Sequence, residues 1–148
     1  MNESVTIIIA EDDMGHATLI QRNLHKAGIR NEFTHFKDGQ ETLDFLLCRG
    51  DGPHRDQGTS YLLLLDIKMP KISGVEVLKM IKKDKELRKI PVIILTTTDD
   101  PREVENCHAL GCSNYLVKPV EYAQFIETIR QLGLFLMVVE VPQINGEM

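Results

Sequence analysis

Short strand-like segments alternate along this chain with longer segments in which apolar residues recur every three or four positions. The strand-like segments are residues 5–10, 31–36, 61–65, 91–96 and 113–117. A segment with helical period follows each one, beginning near Met14, Asp38, Ser73, Pro101 and Glu121. One strand and one helix, repeated five times, predict an α/β fold: a five-stranded parallel sheet with helices on both faces.

Local signals define several ends of these elements. Gly28 is a typical stop for the first helix, Ser73 is a suitable N-cap, and Pro101 suits a first helical turn. The last helix is expected to end near Leu132. The polar stretch RGDGPHRDQGTS at 49–60 predicts a loop that is long for a compact domain.

Composition narrows the classes of function. The net charge of −5 argues against a nucleic-acid or anionic-membrane surface. The 3 cysteines include no CxxC pair and the 5 histidines no close cluster, so neither a disulfide framework nor a zinc site is expected. The first residues lack a long apolar run, so we expect a cytoplasmic protein without a membrane span.

Ionisable or hydroxyl side chains follow four of the five predicted strands. Glu11 and Asp12 come after the first, Asp66 after the third, Thr96 ends the fourth and Lys118 follows the fifth. In parallel sheets of this kind ligands bind outside the carboxyl ends of the strands, near the reversal in strand order. Each residue alone would be an ordinary surface or strand residue. Their joint placement predicts a site at one rim.

The chemistry of these groups is complementary. Carboxylates held close together repel one another and require a cation, and oxygen ligands with open positions favour Mg²⁺. An aspartate beside that metal can attack phosphorus and form an acyl phosphate. The Lys118 ammonium and the Thr96 hydroxyl could then neutralise phosphoryl oxygens. We therefore expect Asp66 to accept a phosphoryl group.

These motifs resemble the receiver domain of two-component response regulators. The resemblance covers residues 5–132 and is carried by IIIAEDD at 7–13, LLLLDIKMPKISG at 62–74, PVIILTT at 91–97 and NYLVKP at 114–119. It implies a (βα)5 flavodoxin-like receiver fold, with Asp66 as the phospho-acceptor. It also implies a Mg²⁺ site formed by Asp12, Asp66 and the backbone carbonyl of Lys68, with Glu11 acting mostly through water.

The same resemblance implies a conformational switch. Thr96 would move its hydroxyl onto the phosphoryl group, and Tyr115 would turn its ring inward on activation. Lys118 would pair with a phosphoryl oxygen, and the peptide bond before Pro119 would be cis.

The resemblance also implies partners. The phosphoryl donor would be a phosphohistidine on a sensor histidine kinase, and the chain would catalyse only its own phosphorylation and dephosphorylation. A switch that acts through protein contacts and a phosphorelay intermediate that hands the group to a phosphotransfer protein both remain open. A metal-dependent phosphohydrolase is disfavoured, because Lys68 stands where such enzymes carry a second aspartate as acid and base.

The last segment is unusually apolar for a chain end. We expect residues 1–133 to form the receiver domain and 134–148, which begin LFLMVVEV, to form an extension that contacts a second copy. The alternative is packing on this domain's own surface. The long loop and apolar tail resemble the small response regulators of bacterial phytochromes, which implies a light-sensing kinase; a sensor kinase for another signal is the alternative.

Overall fold

The computed structural model describes residues 1–146 and contains a central sheet covered by five α-helices. The strands are β1 (Thr6–Ala10), β2 (Phe33–Phe36), β3 (Thr59–Leu65), β4 (Val92–Thr96), β5 (Asn114–Val117) and the short β6 (Gln143–Ile144). The helices are α1 (Met14–Lys26), α2 (Gly39–Leu46), α3 (Gly74–Lys83), α4 (Pro101–Leu110) and α5 (Tyr122–Leu136), with a 3₁₀ turn at Leu87–Lys89. No helix among the described residues is long and apolar enough to cross a membrane.

The first five strands are parallel, in the order β2-β1-β3-β4-β5. This arrangement confirms the predicted five-stranded sheet and flavodoxin-like receiver fold. The strand order reverses between β1 and β3, where Ala10 pairs with Leu65 in the last register position of both strands. The two chain segments that leave these strands therefore begin side by side.

Both faces of the sheet are buried, because successive side chains of each strand point to opposite sides. On one face Ile7, Leu62 and Ile93 pack with apolar residues of α1 and α5. On the other face Ile8 and Leu63, with their neighbours in β4, pack with residues of α2, α3 and α4. The near-continuous apolar character of β1, β3 and β4 follows from this double burial.

Four helices begin with a side-chain cap. Asp13, Asp38, Ser73 and Asp100 each accept a hydrogen bond from a backbone N–H in the first turn that follows. Pro101 is the first residue of α4, and Gly28 follows α1 with a left-handed φ of 100°. The local signals for Ser73, Pro101 and Gly28 are thus confirmed.

The tail is tied to the long loop. α5 continues to Leu136, so the expected boundary at 133/134 falls inside this helix. Beyond it, β6 pairs antiparallel with the start of β3. The buried Arg55 side chain donates from Nε to the Leu46 carbonyl (2.9 Å) and from Nη2 to the Asn145 carbonyl (2.8 Å). Residues 147–148 of the expected extension lie outside the described residues.

Close approach of α3 to the end of β3 requires a glycine. A Cβ atom on Gly74 would lie 2.0 Å from the backbone oxygen of Asp66 and 2.8 Å from the Cα atom of Ile67. The Gly74 N–H also donates to the Ile67 carbonyl, at 2.8 Å. The backbone of Asp66 is therefore held directly against the first turn of α3.

We expect Gly74→Ala to lower the free energy of unfolding by about 1–3 kcal/mol, because the backbone has to shift to accept the methyl group. Gly52→Ala is the matched control, since a Cβ atom there meets nothing within 4 Å. Urea denaturation of both variants measures the effect. Equal stability of the two would contradict the proposed close packing at Asp66.

Candidate functional site

The polar residues predicted at the strand ends do come together at one rim of the sheet. Backbone hydrogen bonds fix their positions: the Asp66 N–H donates to the Ala10 carbonyl (3.0 Å), and the Lys118 N–H donates to the Thr96 carbonyl. Glu11, Asp66, Thr96 and Lys118 are all buried, whereas Asp12 is exposed. The rim therefore combines buried charges with one carboxylate open to solvent.

Three carboxylates form a cluster that could hold a metal ion. Ligand oxygens of Glu11, Asp12 and Asp66 lie within 4.8 Å of one another. Hard oxygen donors with room for water suit Mg²⁺, which is usually held by one or two carboxylates. The cluster fits such an ion. Lys68 lies two residues after Asp66 with an exposed side chain, and its carbonyl stays a predicted ligand.

The Lys118 ammonium lies between the two buried carboxylates. It donates hydrogen bonds to Glu11 Oε1 and to Asp66 Oδ2, the latter at 3.2 Å. Only 2% of its side chain is exposed, so water contributes little to its solvation. A charge this deeply buried is stable only when it is paired.

Burial also affects the proton affinity of Glu11. Loss of hydration raises the pKa of its carboxyl group from 4.5 to about 7; Lys118 opposes the rise and the Asp66 charge adds to it. The folded chain thus keeps a proton that the unfolded chain releases. Glu11 therefore favours folding below the unfolded-state pKa of 4.5 and loses this contribution as the pH rises to about 7.

Sequence reasoning missed His16. Its Nδ1 atom lies 3.1 Å from the Lys118 ammonium, and its ring meets Phe125 edge to face at 5.4 Å between centroids. The ring lies in the first turn of α1, four residues after Asp12. A histidine at such a position is ordinarily solvated, and its proximity to Lys118 depends on how α1 packs against α5.

The two predicted switch residues lie on the β4–β5 side of the rim. Within the described chain the buried Thr96 hydroxyl has no hydrogen-bond partner. The Tyr115 hydroxyl donates to the Thr98 carbonyl at 2.7 Å, and partial burial raises the pKa of Tyr115 to about 12. Thr96 is thus free to accept a new partner, and Tyr115 stays protonated at neutral pH.

Comparison with known proteins identifies the family. Residues 7–130 match the response regulator receiver domain. The chain belongs to this family. The receiver also shares 32% identity over 127 residues, 85% of this chain and 79% of the relative, with a probable methanogenesis regulatory protein, FilR2, of Methanothrix harundinacea.

Several solved structures are similar to this receiver in backbone fold over most of their length. A response regulator receiver domain from Rhodospirillum rubrum is 44% identical, covers 95% of this chain and 99% of its own, and has a TM-score of 0.89. The Mn²⁺-bound response regulator Rcp1 is 29% identical, with coverages of 93% and 98% and a TM-score of 0.82. The bacteriophytochrome response regulator RtBRR is 37% identical, with coverages of 93% and 82% and a TM-score of 0.72.

One expectation for this receiver is wrong. The peptide bond between Lys118 and Pro119 is trans, as are all peptide bonds of the described residues. The trans form is the lower-energy isomer of an Xaa-Pro bond by about 0.5–1 kcal/mol. Lys118 reaches Glu11 and Asp66 with this isomer in place.

We expect the Mg²⁺ affinity of this receiver to rise as the pH is raised from about 6 to 8, because a proton on Glu11 competes with the cation. Isothermal titration calorimetry across this range measures the effect. Glu11→Gln, which has no proton to lose, should bind Mg²⁺ more weakly and with a flatter pH dependence. Identical pH profiles of the two proteins would rule out Glu11 as the titrating group.

Proposed function

We propose that this response regulator receiver accepts a phosphoryl group on Asp66 from a sensor histidine kinase in a Mg²⁺-dependent reaction. The observation that carries the proposal is the position of Asp66. One of its carboxylate oxygens accepts a hydrogen bond from the buried Lys118 ammonium, and the Glu11 and Asp12 carboxylates lie within 4.8 Å. This arrangement combines a nucleophile, a fixed positive charge and a set of metal ligands.

The reaction is a transfer between two nucleophiles. A carboxylate oxygen of Asp66 attacks the phosphorus of the donor phosphohistidine, the new O–P bond forms, and the P–N bond breaks as the imidazole leaves. Asp12, Asp66, the Lys68 carbonyl and, through water, Glu11 would hold Mg²⁺, which supplies charge neutralisation at the phosphoryl oxygens.

The remaining charge is neutralised by this chain's own groups. Lys118 already donates to Asp66 and can donate to a phosphoryl oxygen attached to it. Thr96 has an unused buried hydroxyl that can donate to a second oxygen. Movement of Thr96 would leave space for the half-buried Tyr115 ring. The turn of this ring would change the surface beside β5 when Asp66 is phosphorylated.

The chain catalyses only its own phosphorylation and dephosphorylation. Rapid hydrolysis of phosphate esters needs an acid and base beside the nucleophile, and position 68 carries a lysine instead. Receivers are not enzymes in the usual sense of multiple turnover on a free substrate. Asp66 therefore stores a phosphoryl group.

A protein partner would approach over an apolar rim. Met14, Val120 and Tyr122 are exposed and lie within four residues of Asp12 or Lys118 in the chain, and large exposed apolar side chains favour protein contact over solvent. Similarity to RtBRR, a bacteriophytochrome response regulator, favours a bacteriophytochrome as the kinase. The alternatives are a sensor kinase for another signal, and a relay in which the group passes to a downstream phosphotransfer protein.

The phosphoryl transfer would take place in the cytoplasm. The buried thiols of Cys107 and Cys112 are free, and burial raises the pKa of both, to about 11 for Cys107. Such thiols persist in a reducing compartment and react slowly.

The tail supports a homodimer contact, although part of it packs on its own domain. Leu136 and Ile144 are buried in this chain, and Val139 and Val141 are partly covered. Among the described residues of this segment, four large apolar side chains are exposed: Leu134, Phe135, Met137 and Val138. We define these four as the tail patch and propose that it meets the same patch of a second copy.

Asp66→Asn should abolish acid-labile phosphorylation by acetyl phosphate and by a histidine kinase, because the amide cannot form an acyl phosphate. Asp51→Asn, which changes an exposed aspartate of the long loop, is the control and should label as wild type does. Phosphate-affinity electrophoresis measures the labelled fraction. Full labelling of the Asp66 variant would overturn the assignment.

Val138→Asp should convert the dimer to a monomer, because an ionised carboxylate in the centre of the contact would lose its hydration. Val120→Asp is the matched control, since both valines are exposed and only Val138 belongs to the tail patch. Size-exclusion chromatography with light scattering measures the mass. A wild-type monomer at micromolar concentration would count against the dimer.

A further inference from the structure

The Lys118 ammonium has three N–H donors, and three acceptor atoms of other side chains surround it. The acceptors are Glu11 Oε1, Asp66 Oδ2 at 3.2 Å and His16 Nδ1 at 3.1 Å. Lysine offers donors alone, so Lys118 donates in all three contacts. The side chain is 2% exposed, and each acceptor therefore replaces a water molecule that the ammonium would otherwise bind.

Two of these acceptors have other tasks in the proposed reaction. Asp66 receives the phosphoryl group, and Glu11 belongs to the carboxylate cluster that suits a cation. His16 is the one acceptor of Lys118 that neither binds the metal nor reacts. It can keep its contact with Lys118 throughout the transfer.

The His16 ring is itself held in place. Its backbone N–H donates to the N-cap Asp13 at 3.0 Å, which fixes the start of α1. Phe125 of α5 meets the ring edge to face, with ring centroids 5.4 Å apart and planes at 79°. The acceptor atom is thus positioned by two helices that pack against each other on one face of the sheet.

We propose that His16 is a positioning residue, which holds the Lys118 ammonium in line with Asp66 while Glu11 and Asp66 engage the cation and the phosphoryl group. The inference rests on the proposed phosphorylation of Asp66. In this role the ring accepts through an unprotonated Nδ1 and carries its proton on Nε2. Because one N–H of Lys118 stays bonded to His16 Nδ1, the other two N–H groups keep their directions towards Asp66 and Glu11.

The test is the initial rate of phosphorylation of the full chain by acetyl phosphate at saturating Mg²⁺, as a function of the acetyl phosphate concentration. His16→Ala removes the acceptor, whereas His16→Asn retains an oxygen at the position of Nδ1. His25→Ala is the matched control, because His25 is an exposed histidine of the same helix. Alanine is favourable inside a helix, so both alanine variants should fold.

His16→Ala should lower the maximal rate constant of phosphorylation about tenfold, the effect of losing one hydrogen bond to a charged group. The acetyl phosphate concentration that gives half of this rate should change little. His16→Asn should recover most of that rate, and His25→Ala should match wild type. The ammonium protons of Lys118, observed by NMR, should be protected from exchange in wild type and His16→Asn and unprotected in His16→Ala.

Three outcomes would overturn the inference. They are a His16→Ala rate equal to that of His25→Ala, a His16→Asn rate as low as that of His16→Ala, or Lys118 ammonium protons as protected in His16→Ala as in wild type. Either of the last two would mean that the His16 ring contributes only packing. Failure of the proposed function gives a different result, since wild type itself would then carry no label on Asp66.

Discussion

The structure depends on one buried charge, the Lys118 ammonium, held between two carboxylates that have little contact with water. Glu11 and Lys118 each have 2% of the side chain exposed, and Asp66 has 10%. Burial of this kind is tolerated only when each charge has a partner. One ammonium cannot neutralise Glu11, Asp66 and the adjacent Asp12 together. Burial, and to a smaller extent the Asp66 charge, raises the pKa of Glu11. The remaining negative charge makes the site suitable for Mg²⁺ and a phosphoryl group.

The fold fixes this arrangement with backbone contacts. β1 and β3 end in register, which sets Glu11 beside Asp66, and the Lys118 N–H bonds to the Thr96 carbonyl at the end of β4. Gly74 lets α3 begin against the Asp66 carbonyl. The far end of β3 carries the other unusual feature, since β6 pairs there and Arg55 joins the long loop to the tail. The Asp66 site and β6 of the tail thus lie at opposite ends of β3.

Much of this could be read from the sequence, because buried parallel strands are continuous apolar runs and their ends are marked by a change of polarity. Other features depend on contacts between distant segments. The last helix was expected to end near Leu132, yet α5 continues to Leu136. Gly133 lies inside it for close packing rather than as a stop, since a Cβ atom there would lie 2.8 Å from the Cβ atom of Ala27. The two residues of β6 are too few to show a period. His16 becomes important only through the packing of α1 beside Lys118.

The most direct measurement is the free energy of unfolding of Lys118→Met, with and without Mg²⁺, beside Lys85→Met as an exposed control away from the metal site. If Lys118 is the internal counter-charge, its loss without Mg²⁺ should lower the free energy of unfolding by roughly 3–5 kcal/mol, since two buried carboxylates would be left unpaired. Saturating Mg²⁺ should restore part of that loss, and Lys85→Met should resemble wild type. A Lys118→Met protein as stable as the control, or one whose stability does not respond to Mg²⁺, would contradict a site organised around this buried charge.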